Sequence, residues 1–114
     1  MKKLGELEIY DFHDSLLESI SYDRKKNRIN IEIDFCCWKQ AKYNESDDET
    51  AIIVLCFENV LYASIPNVTL NSDEIIEFSL FENNTLLKIV AFNDIANTSY
   101  EIIIKADAVK IVKT

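Results

Sequence analysis

The stretch "RINIEIDF", residues 28–35, alternates without a fault. Ile29, Ile31, Ile33 and Phe35 fall on one face, and Asn30, Glu32 and Asp34 on the other. Successive side chains of an extended chain point to opposite sides, so only a strand turns this pattern into one apolar and one polar face. A strand with one polar face is half-buried and pairs in antiparallel fashion. The preceding "LLESISYD" groups Leu16, Ile20 and Tyr22, so residues 16–35 read as a hairpin turning at "RKKN".

The rest of the chain continues in this idiom. "TAIIVLCF" is apolar without alternation and is expected to run through the sheet centre, buried on both sides. "ENVLYASIPNVTLNSD" holds the one proline and several turn formers and reads as irregular. Ile76, Phe78 and Leu80 alternate with Glu77 and Ser79, which favours a strand over a short helical turn begun at Asn71. "TLLKIVAF" is a further strand after the "ENN" turn. In "SYEIIIKADAVKIVK" the apolar positions are even as far as Ala106 and odd from Val109, the mark of a β-bulge near Asp107-Ala108. A single glycine and a single proline leave no flexible linker, so residues 1–114 form one domain. The expected fold is mainly β: an antiparallel, strongly curved or barrel-like sheet of six to seven strands with at most one short helix. Ile31, Ile33, Leu55, Ile102 and Ile104 are expected in its core.

Charge narrows the function classes. A net charge of −8 argues against a nucleic-acid binder, which needs clustered lysine and arginine, and an anionic membrane surface repels such a chain. It favours encounter with a basic partner. The lysines of "MKKLGELEIY" introduce no apolar stretch of roughly 7 to 15 residues of the kind that marks a secretory signal. No segment approaches the roughly 18 apolar residues of a membrane span, and a cytoplasmic location is expected. Cys36, Cys37 and Cys56 are odd in number and irregular in spacing, which fits structural thiols rather than a disulfide framework or a zinc site. Cys56 reads as a small buried hydrophobe.

His13, Asp14 and Ser15 are the residue types of a hydrolytic triad, placed side by side. A triad needs a base within reach of the nucleophile and an acid behind it, which sequence neighbours seldom achieve. No glycine-rich elbow accompanies the serine, whereas Ser15-x-x-Glu18 matches a capping box. The three residues are expected to be structural, with His13 anchoring the way into the first strand, and no catalytic residue, metal site or cofactor is expected. The segment "NESDDET" lacks the spacing and glycine of a calcium loop. A contact surface is a stronger candidate: Trp38 and Tyr43, beside Lys39 and Lys42, lead into the carboxylates Glu45, Asp47, Asp48 and Glu49. Tryptophan and tyrosine are enriched at binding hot spots.

The order "FHDSLLESISYD", "NRINIEIDF", "VLCFENVLYAS" and "YEIIIKADAVKIV" resembles a group of small bacterial proteins that open with a His-Asp-Ser or His-Asp-Ala element and carry a Phe-x-Asn/Gly-Val step in mid-chain. Here these are His13-Asp14-Ser15 and Phe57-Glu58-Asn59-Val60. The group is similar to immunity proteins of bacterial toxin systems, of the immunity protein 50 type. The resemblance implies a non-enzymatic module that binds a toxin domain, and it supplies no catalytic residues; the net charge of −8 suits a basic toxin domain as that partner. The alternatives are a cytosolic β-domain that binds a small ligand or serves in an assembly, and an enzyme built around His13.

Overall fold

The computed structural model describes residues 2–113, and its six strands are all antiparallel. They are β1 (Leu16–Asp23), β2 (Arg28–Cys36), β3 (Thr50–Ser64), β4 (Asp73–Phe81), β5 (Leu86–Asn93) and β6 (Thr98–Lys113). The spatial order β1-β2-β3-β6-β5-β4 closes on itself as a barrel. Two three-stranded meanders are thus joined along β3 and β6, and again where β4 meets β1. Among the described residues there is no α-helix, only two 3-10 segments, Leu4–Ile9 and Cys37–Lys39. The mainly β, barrel-like architecture is the one the alternation requires. Each strand has one apolar face, and closure buries all of these faces together while removing most open edges.

The interior is filled by side chains. Ile29, Ile31 and Ile33 of β2 meet Ile53, Leu55 and Phe57 of β3, Leu87 and Ile89 of β5, and Ile102 and Ile104 of β6, all fully or almost fully buried. The five expected core residues are among them. At one end Phe12 stacks on Phe78 at 4.1 Å between ring centroids and lies 5.3 Å from Phe35, and Leu4 and Leu7 are buried with it.

Three bulges keep the apolar faces pointing inward as the strands coil. Pairing steps from Leu17–Ile33 to Ser19–Glu32, from Val60–Ala106 to Tyr62–Lys105, and from Ile75–Ala91 to Glu77–Val90. The extra residues are Glu18, Leu61 and Ile76, and each reverses which side chains face the core. Leu17 rather than Leu16 is therefore the core residue of β1, and Ile75 rather than Ile76 that of β4. On β6 the face changes where the alternation placed it, with Ala106 and Val109 both buried, but not through the expected bulge near Asp107-Ala108. Ala108 and Ala106 pair with Glu58 and Val60 without an extra residue, and the register shift between these two strands falls on β3 at Leu61. β3 changes face opposite, between Phe57 and Val60, with Asn59 at a positive φ of 51°.

Two expectations are corrected. Residues 58–64, read as irregular, continue β3, because the bulge at Leu61 lets the strand stay paired with β6 as far as Ser64. The apolar run 51–57 is buried on one side only. Ile53, Leu55 and Phe57 face the core, while Ile52, Val54 and Cys56 lie half-buried on the outer wall. A closed barrel has an outside, and among the described residues no element forms a second layer over it. Cys56 is accordingly half-buried rather than a core residue.

The turns use asparagine where many proteins use glycine. Asp23 Oδ1 accepts the N–H groups of Lys25 and Lys26, and Asn27 closes that turn at φ 50°. Asn93 Oδ1 accepts the Ala96 N–H, and Asn97 closes the β5–β6 turn at φ 53°. Asparagine visits the left-handed region at less cost than most residues.

The seam between β1 and β4 is short, held by Leu16–Glu74 and Leu17–Asp73. Beyond it β4 runs alongside residues 9–15: the Asp14 N–H donates to Ile75 O (3.0 Å) and the Ile75 N–H to Ser15 O (2.8 Å). Behind the seam a buried polar group closes the sheet. Asp73 accepts bonds from Asn93 Nδ2 to both oxygens (3.1 Å each), from the Tyr100 hydroxyl (2.6 Å) and from the Asn71 N–H (3.3 Å). Burial, and then the Asp73 carboxylate, push the Tyr100 phenol far above the ordinary tyrosine range.

Candidate functional site

The His13-Asp14-Ser15 element is a tight corner that delivers the chain into β1. Asp11 Oδ1 accepts the His13 N–H (3.0 Å), Asp14 takes a positive φ of 69°, and the Ser15 N–H donates to Phe12 O (3.1 Å). The corner sends the neighbouring side chains in different directions. Ser15 is fully buried, and its Oγ accepts the Cys36 N–H at 3.0 Å, a backbone group at the end of β2. Cys36 is also buried, with its Sγ 3.4 Å from Asp14 O. The His13 side chain is instead 52% exposed. The residue that locks the strand is therefore Ser15, not the expected His13. What His13 meets is Asp14, not Ser15, so the three do not stand in triad order.

A small charged cluster forms on the outside of this corner. Lys39 Nζ donates to Asp14 Oδ2 at 3.0 Å, and His13 Nδ1 lies 3.1 Å from Asp14 Oδ1. His13 Nδ1 is also 3.5 Å from Lys39 Nζ. The Lys39 hydrogen bond, followed by one from the Glu74 carboxyl, holds Asp14 below the usual carboxylate range. Glu74 is pushed up, first by that bond to Asp14 and then by burial. Lys39 is raised, chiefly by its bond to Asp14.

Lys39 also links the corner to the expected contact surface. Its Nζ lies 5.7 Å from the centre of the Trp38 ring, within cation–π range. Trp38 sits on the 3-10 turn after β2 and is 50% exposed. Its backbone is fixed from behind: the Cys37 and Trp38 N–H groups both donate to Glu49 O, at 2.8 and 3.2 Å. Gln40 fastens the same turn to the N-terminal segment. Its Nε2 donates to Asp11 O (2.8 Å) and Cys36 O (2.9 Å), and its Oε1 accepts the Asp11 N–H (2.9 Å).

The loop between this turn and β3 carries Tyr43, Glu45, Asp47, Asp48 and Glu49. The carboxylates are exposed and Tyr43 is half-buried. Asp47 braces the loop by accepting the Asn44 N–H at 3.1 Å. Tyr43, Asp47 and Asp48 line a groove of about 450 Å³ whose floor is Tyr10, Phe35 and Cys37. Burial raises both the Tyr43 phenol and the Cys37 thiol, and the nearby carboxylates add to this. The structure thus brings Trp38, on the 3-10 turn, and the acidic loop that follows it to one end of the barrel, and sets Trp38 beside the His13 corner. Sequence reasoning missed Gln40, Glu74 and Tyr10. Gln40 and Glu74 act through contacts with segments distant in sequence, and no local pattern marks them. Tyr10 was legible only as an aromatic near the first apolar positions.

No family model, curated protein or solved structure matches the chain. Among the described residues no helix is long and apolar enough to cross a membrane, and no group of histidine, cysteine and carboxylate side chains has the arrangement of a metal site.

Proposed function

We propose that the protein is a non-enzymatic module that binds another protein through Trp38, Tyr43 and the carboxylates Glu45, Asp47, Asp48 and Glu49. The observation that carries this reading is Trp38 itself: a large aromatic side chain, half out in solvent, on a turn fixed by Glu49 and Gln40. A held aromatic loses little freedom on binding, which is how hot-spot residues contribute strongly. The exposed carboxylates beside it favour a basic partner surface. The resemblance to immunity proteins narrows that partner to a basic toxin domain met in the cytoplasm. Three free thiols accord with a reducing compartment. A small ligand inside the sheet is the less favoured reading, because core side chains fill the barrel.

Co-purification from the native host, followed by binding kinetics at two salt concentrations, tests the proposal. Trp38→Ala is expected to weaken binding by about 2 kcal/mol or more, mainly through faster dissociation. Neutralising Asp47 and Asp48 is expected to slow association at low salt only, since screening acts over about 10 Å at 0.1 M. A captured partner whose binding neither change affects refutes this surface.

A further inference from the structure

The first half of β6 is flanked by β5, from Thr98 to Lys105. Past Ala106 that side is met only in places: the Ala106 N–H donates to Thr85 O, and Val109 exchanges both backbone bonds with Lys2, at 2.8 and 3.0 Å. Residues two apart in a strand direct their backbone groups to the same side. Ile111 and Lys113 therefore direct theirs as Val109 does, away from β3. The Lys2–Val109 bridge is antiparallel, so the chain runs from Lys2 away from Ile111. Among the described residues no backbone group pairs with Ile111 or Lys113 on that side.

A groove of about 400 Å³ follows this open edge, lined by Lys2, Tyr10, Lys110, Ile111 and Lys113, with no carboxylate among its walls. Three of the chain's 12 basic residues thus gather here, in a protein of net charge −8. Among the described residues none of these three lysines has a carboxylate within ion-pair distance. Among the described residues the outward backbone groups of this edge are unmet, and the lysines carry a charge opposite to the net charge of the chain.

We propose that this edge takes up an extended acidic segment of a partner protein as an added strand. Backbone bonds form to Ile111 and Lys113, and carboxylates on the two faces of the segment meet Lys2 and Lys113 on one side and Lys110 on the other. Strand addition of this kind draws affinity from main-chain bonds and specificity from flanking side chains. Tyr10 and Lys113 also line the groove beside Tyr43, Asp47 and Asp48, but Trp38 lies on the wall of neither, so Trp38→Ala tells the failure of this proposal from that of the Trp38 reading.

The test titrates the full, isotope-labelled chain with a capped peptide of paired glutamates separated by single valines, which places carboxylates on both faces, and with the same peptide carrying lysine for glutamate. The acidic peptide is expected to shift the Ile111 and Lys113 amide signals and slow their exchange with solvent, and the basic one to leave them unmoved. Lys110→Gln should weaken binding about two- to threefold, as an exposed ion pair does. Lys113→Pro should weaken it about fivefold more than Lys113→Gln, because proline also removes the outward N–H while costing no bond to β3. A peptide N-methylated at alternate residues should not bind, which checks the backbone contacts without altering the protein. Trp38→Ala should leave the affinity unchanged. Equal affinity for Lys113→Gln and Lys113→Pro together with undiminished binding of the methylated peptide overturns the proposal. So does protection of Ile111 and Lys113 that grows with the concentration of the chain without peptide, which would make the occupant a second copy.

Discussion

Replacing Ser15 by alanine removes one oxygen from a fully buried site. The side chain is fully buried, and its Oγ is the acceptor that the structure gives the Cys36 N–H at 3.0 Å. That N–H belongs to the last residue of β2, where the strand leaves the sheet for the Trp38 turn. Leaving a buried donor unmet costs about 1–3 kcal/mol, and the middle of that range is apt for one neutral bond. With an unfolding entropy of about 2.1 cal/mol/K per residue, a loss of about 2 kcal/mol lowers Tm by roughly 8 °C for a chain of this length. His13→Ala is the matched control. It removes a half-exposed ring whose contacts are on the surface, and such changes usually stay within about 0.5 kcal/mol. Urea unfolding followed by tryptophan fluorescence reads both variants, since the single Trp38 lies directly beyond the perturbed turn. If His13→Ala costs as much as Ser15→Ala, the corner is not held by the serine and the reasoning fails.

Tyr100→Phe removes the 2.6 Å hydrogen bond to the buried Asp73 carboxylate and should cost about 2 kcal/mol, read by the same unfolding assay; a neutral outcome would show that another donor takes over at Asp73. The Asp14–Glu74 pair gives a pH signature. Asp14, depressed, adds stability above its unfolded pKa that is lost as pH falls through its folded value; Glu74, raised, adds stability below its unfolded pKa that is lost as pH rises through its folded value. Glu74→Gln should therefore be more stable than the parent at pH 7, with the gain shrinking as pH falls through the raised Glu74 value; a difference constant with pH contradicts the pairing.

How far the sequence reaches is clearest where it succeeds by parity and fails by parity. "RINIEIDF" specified the inward face of β2 residue by residue, and the even-to-odd change near Asp107-Ala108 located the reversal on β6. The same rule groups Leu16 with Ile20 and Tyr22, and Ile76 with Phe78 and Leu80, and the structure separates them, because Glu18 and Ile76 are bulge residues. Nothing beside them in sequence announces a bulge. The extra residue is defined by the partner strand, which skips one position in the pairing. At the candidate site Trp38, Tyr43 and the acidic run were legible as exposed chemistry, whereas the Gln40 clamp joins positions 29 apart and the Ser15–Cys36 bond positions 21 apart.

The sequence by itself determined the local terms: which segments extend, which face of each is apolar, and where asparagine turns the chain. A two-residue period is written in adjacent side chains and needs no partner to be read. Only the tertiary structure decided that β3 pairs with β6, that the sheet closes where Leu16 and Leu17 meet Glu74 and Asp73, and that the outer side of the 51–57 run stays half-covered. Those outcomes depend on how all the apolar faces are buried together at the least cost in open edges. That balance is a property of the whole chain, and no short stretch of it carries the answer.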